Sequence, residues 1–549
     1  MSGDRLAPAA GRMAAALGLV AVLGWPIAAT AWQAVRGAGA PSGSFALIDA
    51  GAFGREASLV AGPAVETLRV SGAAVLGALA IGLPMAVLLS RTDLPGRRLL
   101  RAAMALAVFV PMPILVAGWL GGFGGAGYGQ LFGREPLLKG WPGAAFVHAV
   151  AGVPWVALLS GIGLRAVPPE LEESALLDLP AWRVLLGVSL RGAAGAIVGS
   201  AVLVAALTAG DMTVTDLLLV RTFAEEAYVQ YGLGRPPAAV ALVAIPPALT
   251  IGLSLLVAGR LVLRVDPARI ASASAASREW RLGAWRWPIG LLAWLVSAAL
   301  FVPPVLAMAW RAGRVGGDAA AGVSPSWSPG GLGASLSYAA AEVRGPLLET
   351  AAVAAVGASL SVLLAWGLAW LCRRPGPWRW ATLLSASLLL ALPGPVAGMA
   401  LLQAYLPVAP VSDSLAIVAL GYVMRTLPFA LLVLWPAVRG IPAALLESAE
   451  VDGHGPTGRI ARVALPMTAG PVGASWLVGF VLATGELPIT NLVSPAGTDP
   501  LTKFLWGQMH FGVDSRISAV GLVLLAAFAG AGALAVGACR WAYRGSRSG

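Results

Sequence analysis

The sequence predicts an all-α integral membrane protein of twelve transmembrane helices, arranged as two parallel repeats of six. Three observations predict this class. The 549 residues are 58% hydrophobic and only 11% charged, with a mean hydropathy of +0.80, which is too apolar for a soluble domain. Twelve nearly charge-free stretches are long enough to cross about 30 Å of hydrocarbon. The two halves of the chain also repeat each other in their polar residues, prolines and glycines.

The predicted spans follow one another along the whole chain, separated only by loops. They are residues 13–35, 70–90, 102–121, 142–164, 192–210, 236–259, 287–310, 351–372, 381–404, 414–438, 463–485 and 517–539. The first span follows Arg5 and Arg12 and so resembles a signal peptide. Its apolar run is long for that role, and the repeat requires a helix there, so we interpret it as a membrane span.

The charge of the chain indicates its orientation. The net charge is +11, from 37 Lys and Arg against 26 Asp and Glu. In so apolar a chain, the positive-inside rule explains this excess better than nucleic-acid binding does. Most of the basic residues lie in segments that are cytoplasmic if the N-terminus is inside. We therefore expect both termini in the cytoplasm and no nucleic-acid partner.

The repeat predicts three parts of the chain. Residues 1–265 form the first repeat, 266–286 form a cytoplasmic linker, and 287–549 form the second repeat. Both repeats contain six spans, an even number, so both enter the membrane the same way round. The halves are therefore related by an axis along the membrane normal.

Each half carries one polar loop between two apolar runs, and the loop of the second half covers residues 444–466. Its characteristic residues are Glu447, Ser448, Ala449, Asp452, Gly453, Leu465 and Pro466. Acidic residues suit the start of a helix, and glycine permits the turn that ends one. The Leu-Pro pair then leads back into the membrane.

The loop of the first half, residues 170–191, is a degenerate copy. Its matching residues are Glu173, Ser174, Ala175 and Asp178. Leu179 stands where the second loop has its glycine, and Arg191 follows Leu190 where the second loop has proline. Pro180 could supply a bend by another route, so the two loops are not expected to be equivalent.

The spacing of these loops resembles the EAA signature of permease subunits of bacterial ATP-binding-cassette (ABC) importers. The segments 211–226, 485–492 and 501–516 are similar to fused permeases of the ferric iron group, which is itself similar to thiamine and phosphonate permeases. This resemblance implies the transmembrane domain of a type I importer. It also implies that each loop folds as two short helices and docks into a cleft on an ATPase subunit. We expect both loops to dock and the second to couple more strictly.

The resemblance further implies the partners and the location of the chain. The partners are two ABC ATPase subunits in the cytoplasm, a periplasmic or lipid-anchored solute-binding protein, and membrane lipid. The location is the bacterial cytoplasmic (inner) membrane. ATP and Mg²⁺ would be used by the partner ATPase, with no cofactor bound by this chain.

No stretch carries the chemistry of an enzyme. A phosphate-binding P-loop requires a lysine after a glycine-rich run, and neither Lys139 nor Lys503 lies in such a pattern. His148, His454 and His510 have no metal-ligand spacing, and a packing role is the more frequent one for a lone histidine such as His148. We therefore expect no catalytic residue and no metal site.

Charged residues at membrane depth are the remaining candidates for function. Asp211 and Glu486 occupy equivalent positions at the outer ends of the fifth and eleventh spans. A carboxylate there is costly to bury, so its presence in both copies suggests a role. In one interpretation the pair lines the translocation path or its gate. In the other, each carboxylate pairs with a neighbour such as Arg425 and locks helices together.

The function that we expect is a permease subunit of a binding-protein-dependent ABC importer, coupled to separate ATPase subunits. Iron(III) is the first candidate for its cargo, on resemblance alone, since Fe³⁺ prefers oxygen ligands that two carboxylates could provide. Thiamine, phosphonate, polyamine or another small solute is the alternative. A secondary transporter of twelve helices that works alone is the rival class, because such carriers also have parallel halves.

Overall fold

The computed structural model of the chain describes residues 9–38, 50–125, 127–128, 135–234, 249, 251–254, 256–257, 279–316, 326–373, 375–509 and 515–545. Helices form nearly all of this structure, so the all-α prediction is confirmed. Two short antiparallel strands, β1 (Arg314–Val315) and β2 (Ser326–Trp327), are the exception among the described residues.

The first half contains helices α1 to α12. They are α1 (Ala9–Leu19), α2 (Trp25–Ala38), α3 (Ala50–Arg91), α4 (Arg97–Ala107), α5 (Met112–Phe123), α6 (Gly140–Arg165), α7 (Pro169–Asp178), α8 (Ala181–Val184), α9 (Leu190–Gly192), α10 (Ala194–Gly210), α11 (Thr213–Leu217) and α12 (Phe223–Gly232). Turns of π-helix join α1 to α2 at Val20–Gly24 and α8 to α9 at Leu185–Ser189.

The second half contains helices α13 to α25, after a 3₁₀ turn at Gly283–Trp285. They are α13 (Arg286–Ala312), α14 (Pro329–Glu342), α15 (Arg344–Leu371), α16 (Pro377–Ala391), α17 (Gly394–Tyr405), α18 (Ala409–Ser412), α19 (Ala416–Arg439), α20 (Ala443–Val451), α21 (Pro456–Arg459), α22 (Leu465–Thr484), α23 (Pro488–Val493), α24 (Leu501–Met509) and α25 (Ser515–Gly545). A π-helical turn at Ile460–Ala464 joins α21 to α22.

The membrane class of the chain is confirmed by its long apolar helices. In the described residues, eight helical segments are long and apolar enough to cross a membrane, and three bent pairs raise the number to eleven. Each of these crossings corresponds to one predicted span. The sixth predicted span, 236–259, lies mostly outside the described residues, so the count of twelve is not tested there.

Two predicted spans, 102–121 and 381–404, are wrong as single straight helices. α4 meets α5 at 102°, and α16 meets α17 at 111°. Pro111 and Pro393 stand at these breaks with the same extended backbone, at ψ values of 141° and 142°. Proline donates no backbone hydrogen bond and drives the preceding residue out of the helical region. Both breaks fall at equivalent positions of the repeat.

The two halves also repeat a long-range hydrogen bond. The hydroxyl of Thr67 in α3 accepts from the backbone N–H of Phe223 at 2.9 Å. The hydroxyl of Thr350 in α15 accepts from the backbone N–H of Leu501 at 2.8 Å. Each bond ties the start of an outer helix to a long span, so the repeat extends from sequence to tertiary contacts.

The first helices of the two halves are exchanged. α1 and the π turn that follows it contribute to the apolar core of the second half, and the indole N–H of Trp25 in α2 donates to the carbonyl of Ala404 at 2.9 Å. In return, α13 packs on the first half, where Ala293 and Leu300 join its core. The halves therefore interlock. The division into 1–265, 266–286 and 287–549 stays a prediction, and residues 266–278 of the linker lie outside the described part.

Candidate functional site

The loop of the second half folds as a helix, a tight turn and a second helix. At the end of α20, the N–H of His454 donates to the carbonyl of Ala449 at 2.9 Å, and that of Gly453 donates to the carbonyl of Glu450 at 3.0 Å. Gly453 has a φ of +83°, in the left-handed region that glycine adopts without a steric penalty. Glycine at this position therefore makes the turn.

The second helix of this loop continues into the membrane. α21, the π turn and α22 form one helical segment, Pro456–Thr484. Within the π turn, the N–H of Leu465 donates to the carbonyl of Ile460. The wider turn adjusts the backbone just before Pro466, which has no N–H of its own to donate. Leu465 and Pro466 are both exposed.

The backbone of the first loop follows a similar path, but different residues make its turn. α7 ends at Asp178, and Leu179 is extended, with φ −125° and ψ 145°. Pro180 follows and precedes α8, and the residue before a proline is disfavoured in the helical region. A proline therefore terminates the helix here, where a glycine does so in the second loop.

The predicted docking residues lie mainly on the exposed faces of α7 and α20. The exposed ones are Glu173, Ser174, Asp178, Glu447, Ser448 and Asp452. Ala175 is half-buried and Ala449 is buried, so these two small residues face the protein. The loops thus present carboxylates outward and alanines inward.

Apolar side chains stand beside these carboxylates at equivalent positions of the two loops. Leu177 is 86% exposed and Val451 is 87% exposed. Earlier on the same helices, Leu171 and Leu445 are also exposed. Burial of such a side chain contributes about 1.5–3 kcal/mol, and exposed apolar groups of this kind mark interaction surfaces.

A buried ion pair anchors the first loop, and the sequence patterns missed it. Glu172 and Arg91 are both 0% exposed and form a salt bridge. The same glutamate accepts from the hydroxyl of Ser189 at 2.6 Å, and Arg91 also donates to the carbonyl of Leu164 at 2.9 Å. One ion pair therefore joins α7 to α3, α6 and the π turn that leads to α10.

The second loop is anchored without charge. Leu446 occupies the position of Glu172 and packs in an apolar cluster with Trp435 and Val438. The repeat aligns Glu172 of the first loop with the apolar Leu446 of the second. Because a charge on the inner face of a helix needs a partner, this difference in the sequence could have indicated the buried ion pair. Arg91 was one of the basic residues counted in the cytoplasmic segments, and that count gave no sign that its side chain is fully buried.

A cavity of about 160 Å³ lies between the two halves, near the breaks at the prolines. Its lining includes both Asp211 and Glu486 together with Arg425 and His148. The halves meet here reciprocally: Gly485 packs against Pro111 of the first half, and Gly210 lies near Pro393 of the second. The structure thus brings all three predicted pathway residues to one cavity.

The two carboxylates of the cavity have equivalent backbone bonds and different charged neighbours. Asp211 Oδ2 accepts from the N–H of Val214 at 3.0 Å, and Glu486 Oε1 accepts from the N–H of Ile489 at 3.1 Å. Glu486 Oε2 also accepts from Arg425 Nε at 3.1 Å. Thus Glu486 both lines the cavity and pairs with Arg425, so both sequence interpretations describe part of its environment.

An acidic group lies next to the cavity, on α11 and α12. Burial, together with the neighbouring carboxylate of Asp216, raises the pKa of Glu225 to about 8. Asp211 is near enough to contribute to this shift, and Glu226 is paired with Arg221. Acidic side chains therefore outnumber basic ones on this side of the cavity.

The crossings, the paired loops and the cavity between the halves define a multi-pass, all-helical membrane protein of transporter architecture. Its sequence is similar to permease subunits of ABC transporters. The putative ABC transporter permease protein ORF1 of Streptomyces antibioticus is 42% identical over 74 residues, which are 14% of this chain and 32% of the relative. The diacetylchitobiose uptake system permease protein DasC of Streptomyces coelicolor is 38% identical over 82 residues, 15% of this chain and 30% of the relative.

A longer match is to the putrescine transport system permease protein PotI of Escherichia coli, 25% identical over 143 residues, 25% of this chain and 51% of the relative. The chain thus spans about a third of the length of the first two relatives and about half of the third. No protein-family model matches the chain. The relatives are permeases rather than enzymes, in agreement with the expectation that this chain is not an enzyme.

Proposed function

We propose that the chain is the permease subunit of a binding-protein-dependent ABC importer. In this role it forms the translocation pathway in the bacterial inner membrane, with both termini in the cytoplasm. Two ABC ATPase subunits bind below it and use ATP and Mg²⁺. A periplasmic or lipid-anchored solute-binding protein delivers cargo from above.

The paired loops are the observation that carries this proposal. Each loop holds an apolar side chain that is almost fully exposed, Leu177 in one and Val451 in the other, beside exposed carboxylates. An isolated exposed leucine needs no explanation, but two equivalent ones on equivalent short helices favour a repeated partner surface. Two copies of one ATPase subunit would provide such a surface.

The two docking surfaces are proposed to differ in strength and in rigidity. Glu447, Asp452 and Gly453 form the main surface, and Glu173 and Asp178 form the weaker one. In the first loop, movement of the docked helix reaches α3, α6 and α10 through the Arg91–Glu172 pair. In the second loop, it reaches α19 through the apolar contacts of Leu446.

The transport cycle follows from this arrangement. ATP binding closes the ATPase dimer, and the loops carry the movement to the spans. Rocking of one half against the other then switches the pathway between outward and inward access. The cavity between Asp211 and Glu486 lies where the halves meet, so it changes shape in that motion.

The cargo is proposed to be a small cationic solute. On resemblance alone, iron(III) is the first candidate, and thiamine, phosphonate, polyamine or another small solute is the alternative; phosphonate is an anion and so falls outside the proposed class. One relative is named for putrescine and another for diacetylchitobiose. Among the described residues, no group of three or more His, Cys, Asp or Glu side chains is arranged to hold a metal ion. This observation favours an organic cation over bare iron in the pathway.

Docking is tested by placing a charge on each apolar position. In membranes that also contain the ATPase subunit, Val451→Asp should strongly reduce co-purification of that subunit and stop uptake, while Leu177→Asp should reduce both to a smaller extent. Leu406→Asp is the matched control, since Leu406 is exposed but lies between α17 and α18, far along the chain from either loop. If both loop variants retain the ATPase subunit as well as the control does, the docking surfaces are wrong.

The rival function is a secondary transporter that works alone. Purified in liposomes with only an ion gradient, the chain should move no solute. Sustained accumulation there, without an ATPase subunit, would favour the rival.

A further inference from the structure

The cavity between the halves contains a carboxylate that its neighbours do not neutralise. Asp211 is only 13% exposed, and its Oδ2 accepts from the N–H of Val214. Its Oδ1 makes no hydrogen bond with the residues that the structure describes. The nearest basic atom is Nε2 of His148, at 3.6 Å from Oδ2, which is beyond a good hydrogen bond. Asp211 therefore keeps acceptor capacity that faces the cavity.

The other carboxylate of the cavity is already neutralised. Glu486 is paired with Arg425, and Nη1 of that arginine donates to the carbonyl of Leu392 at 3.4 Å. Because Arg425 is engaged in this way, it is a poor site for a second anion. The charge that remains at the cavity is therefore the negative charge of Asp211.

His148 places a ring nitrogen, Nε2, without a hydrogen-bond partner among the described residues beside Asp211. Its side chain is 3% exposed. With the ring proton on Nδ1, Nε2 of a neutral imidazole is an acceptor. A buried polar atom without a partner is costly, so a ligand that donates to it is favoured.

The rest of the lining suits the hydrocarbon part of an organic cation. Trp155 and Phe109 line the same cavity as Asp211 and His148. Aromatic faces attract ammonium groups and pack against methylene chains. The volume of about 160 Å³ is ample for a small ligand, since one water molecule needs only about 15 Å³ of such space.

We propose that this cavity binds the protonated amine of a small organic cation, with the ammonium group donating to Asp211 and to Nε2 of His148. The proposal rests on the importer function and specifies its cargo class. A primary ammonium has three N–H donors, which matches two adjacent acceptors in a pocket of net negative charge. Trp155 and Phe109 enclose the carbon chain of the same ligand.

Binding to the full chain tests this assignment without any ATPase subunit. The chain is placed in nanodiscs of phosphatidylcholine, a lipid without net charge, so that amines do not adsorb to the bilayer. The probes are 1,4-diaminobutane, its neutral isostere 1,4-butanediol, inorganic phosphate and ferric citrate, each followed by calorimetry. The variants are Asp211→Asn, Asp211→Glu and His148→Phe, and Asp413→Asn is the control because Asp413 is exposed and does not line the cavity.

The diamine should bind saturably, and the other three probes should not. Asp211→Asn should weaken its binding about tenfold or more, because a charge-assisted hydrogen bond is lost. Asp211→Glu should retain most of the binding, His148→Phe should weaken it less than Asp211→Asn does, and Asp413→Asn should leave it unchanged.

Binding of phosphate or ferric citrate that Asp211→Asn does not reduce would overturn the cargo class and leave the importer intact. Absence of saturable diamine binding to the correctly folded chain would overturn it as well. The importer function itself fails on a separate result, namely retention of the ATPase subunit by Val451→Asp and Leu177→Asp as fully as by the control variant.

Discussion

Replacing Glu172 with leucine gives the first loop the residue that the second loop has at Leu446. The substitution removes the counter-charge of Arg91, whose side chain is 0% exposed, and removes the acceptor for the hydroxyl of Ser189. Arg91 keeps only its bond to the carbonyl of Leu164 among the contacts described above. The variant therefore tests whether the ion pair anchors the loop or merely accompanies it.

The expected loss of stability is large. Removing one partner of a buried ion pair costs about 3–5 kcal/mol, because the other charge stays buried without compensation. Replacing both partners by apolar residues of similar volume is often nearly neutral. The double variant Arg91→Met/Glu172→Leu should therefore be more stable than Glu172→Leu alone by about 2 kcal/mol or more.

The free energy of unfolding is measured by denaturant titration of the purified chain in mild detergent. Glu170→Leu, an exposed carboxylate on the same helix, is the control and should change stability by less than about 0.5 kcal/mol. If Glu172→Leu costs no more than this control, or if the double variant is no more stable than the single one, the anchoring role is refuted. Uptake per ATP, measured on the same variants, should fall for Glu172→Leu.

Three further predictions follow from the loops and the acidic group. Gly453→Pro should uncouple ATP turnover from uptake in vesicles without preventing membrane insertion, because proline cannot adopt the φ of +83°; unchanged uptake would contradict the role of this turn. Leu179→Gly tests whether coupling through the first loop depends on its turn at Leu179 and Pro180. If it does, uptake per ATP should fall markedly. A rise would mean that a glycine turn couples better and that the first loop has lost it. The chain should become less stable as the pH rises from about 4.5, the ordinary pKa of a glutamate, to about 8, the raised pKa of Glu225. The reason is that over this range Glu225 keeps its proton in the folded state and releases it in the unfolded state. Glu225→Gln should flatten this pH dependence of the free energy of unfolding, and an unchanged profile would assign the dependence to other groups.

The loops show how much of the site the sequence could predict. The position of Gly453 predicted a turn, and the backbone there is left-handed. The sequence also showed that Leu179 breaks the pattern and that Pro180 could replace the glycine. Such features depend on residues close together in the chain, whose backbone preferences are local.

The sequence could not show which neighbouring glutamate would be buried. Glu173 matched the signature, yet Glu172 is the residue that faces the protein and reaches Arg91, 81 residues earlier in the chain. In the same way, the pairing of Glu486 with Arg425 was one of two open interpretations until the helices were placed. Contacts of this kind depend on how helices rotate and pack, which adjacent residues do not specify.

By itself, the sequence determined the membrane class, the repeat and the place of the two loops, because hydropathy, charge asymmetry and turn residues act over one helix length or less. Tertiary structure alone decided that α1, α2 and α13 exchange between the halves and that Pro111 and Pro393 bend two crossings sharply. It also decided that Asp211 and His148 share one cavity. The physical reason is that side chains far apart in the chain meet only when the apolar faces of whole helices find the arrangement that buries them best.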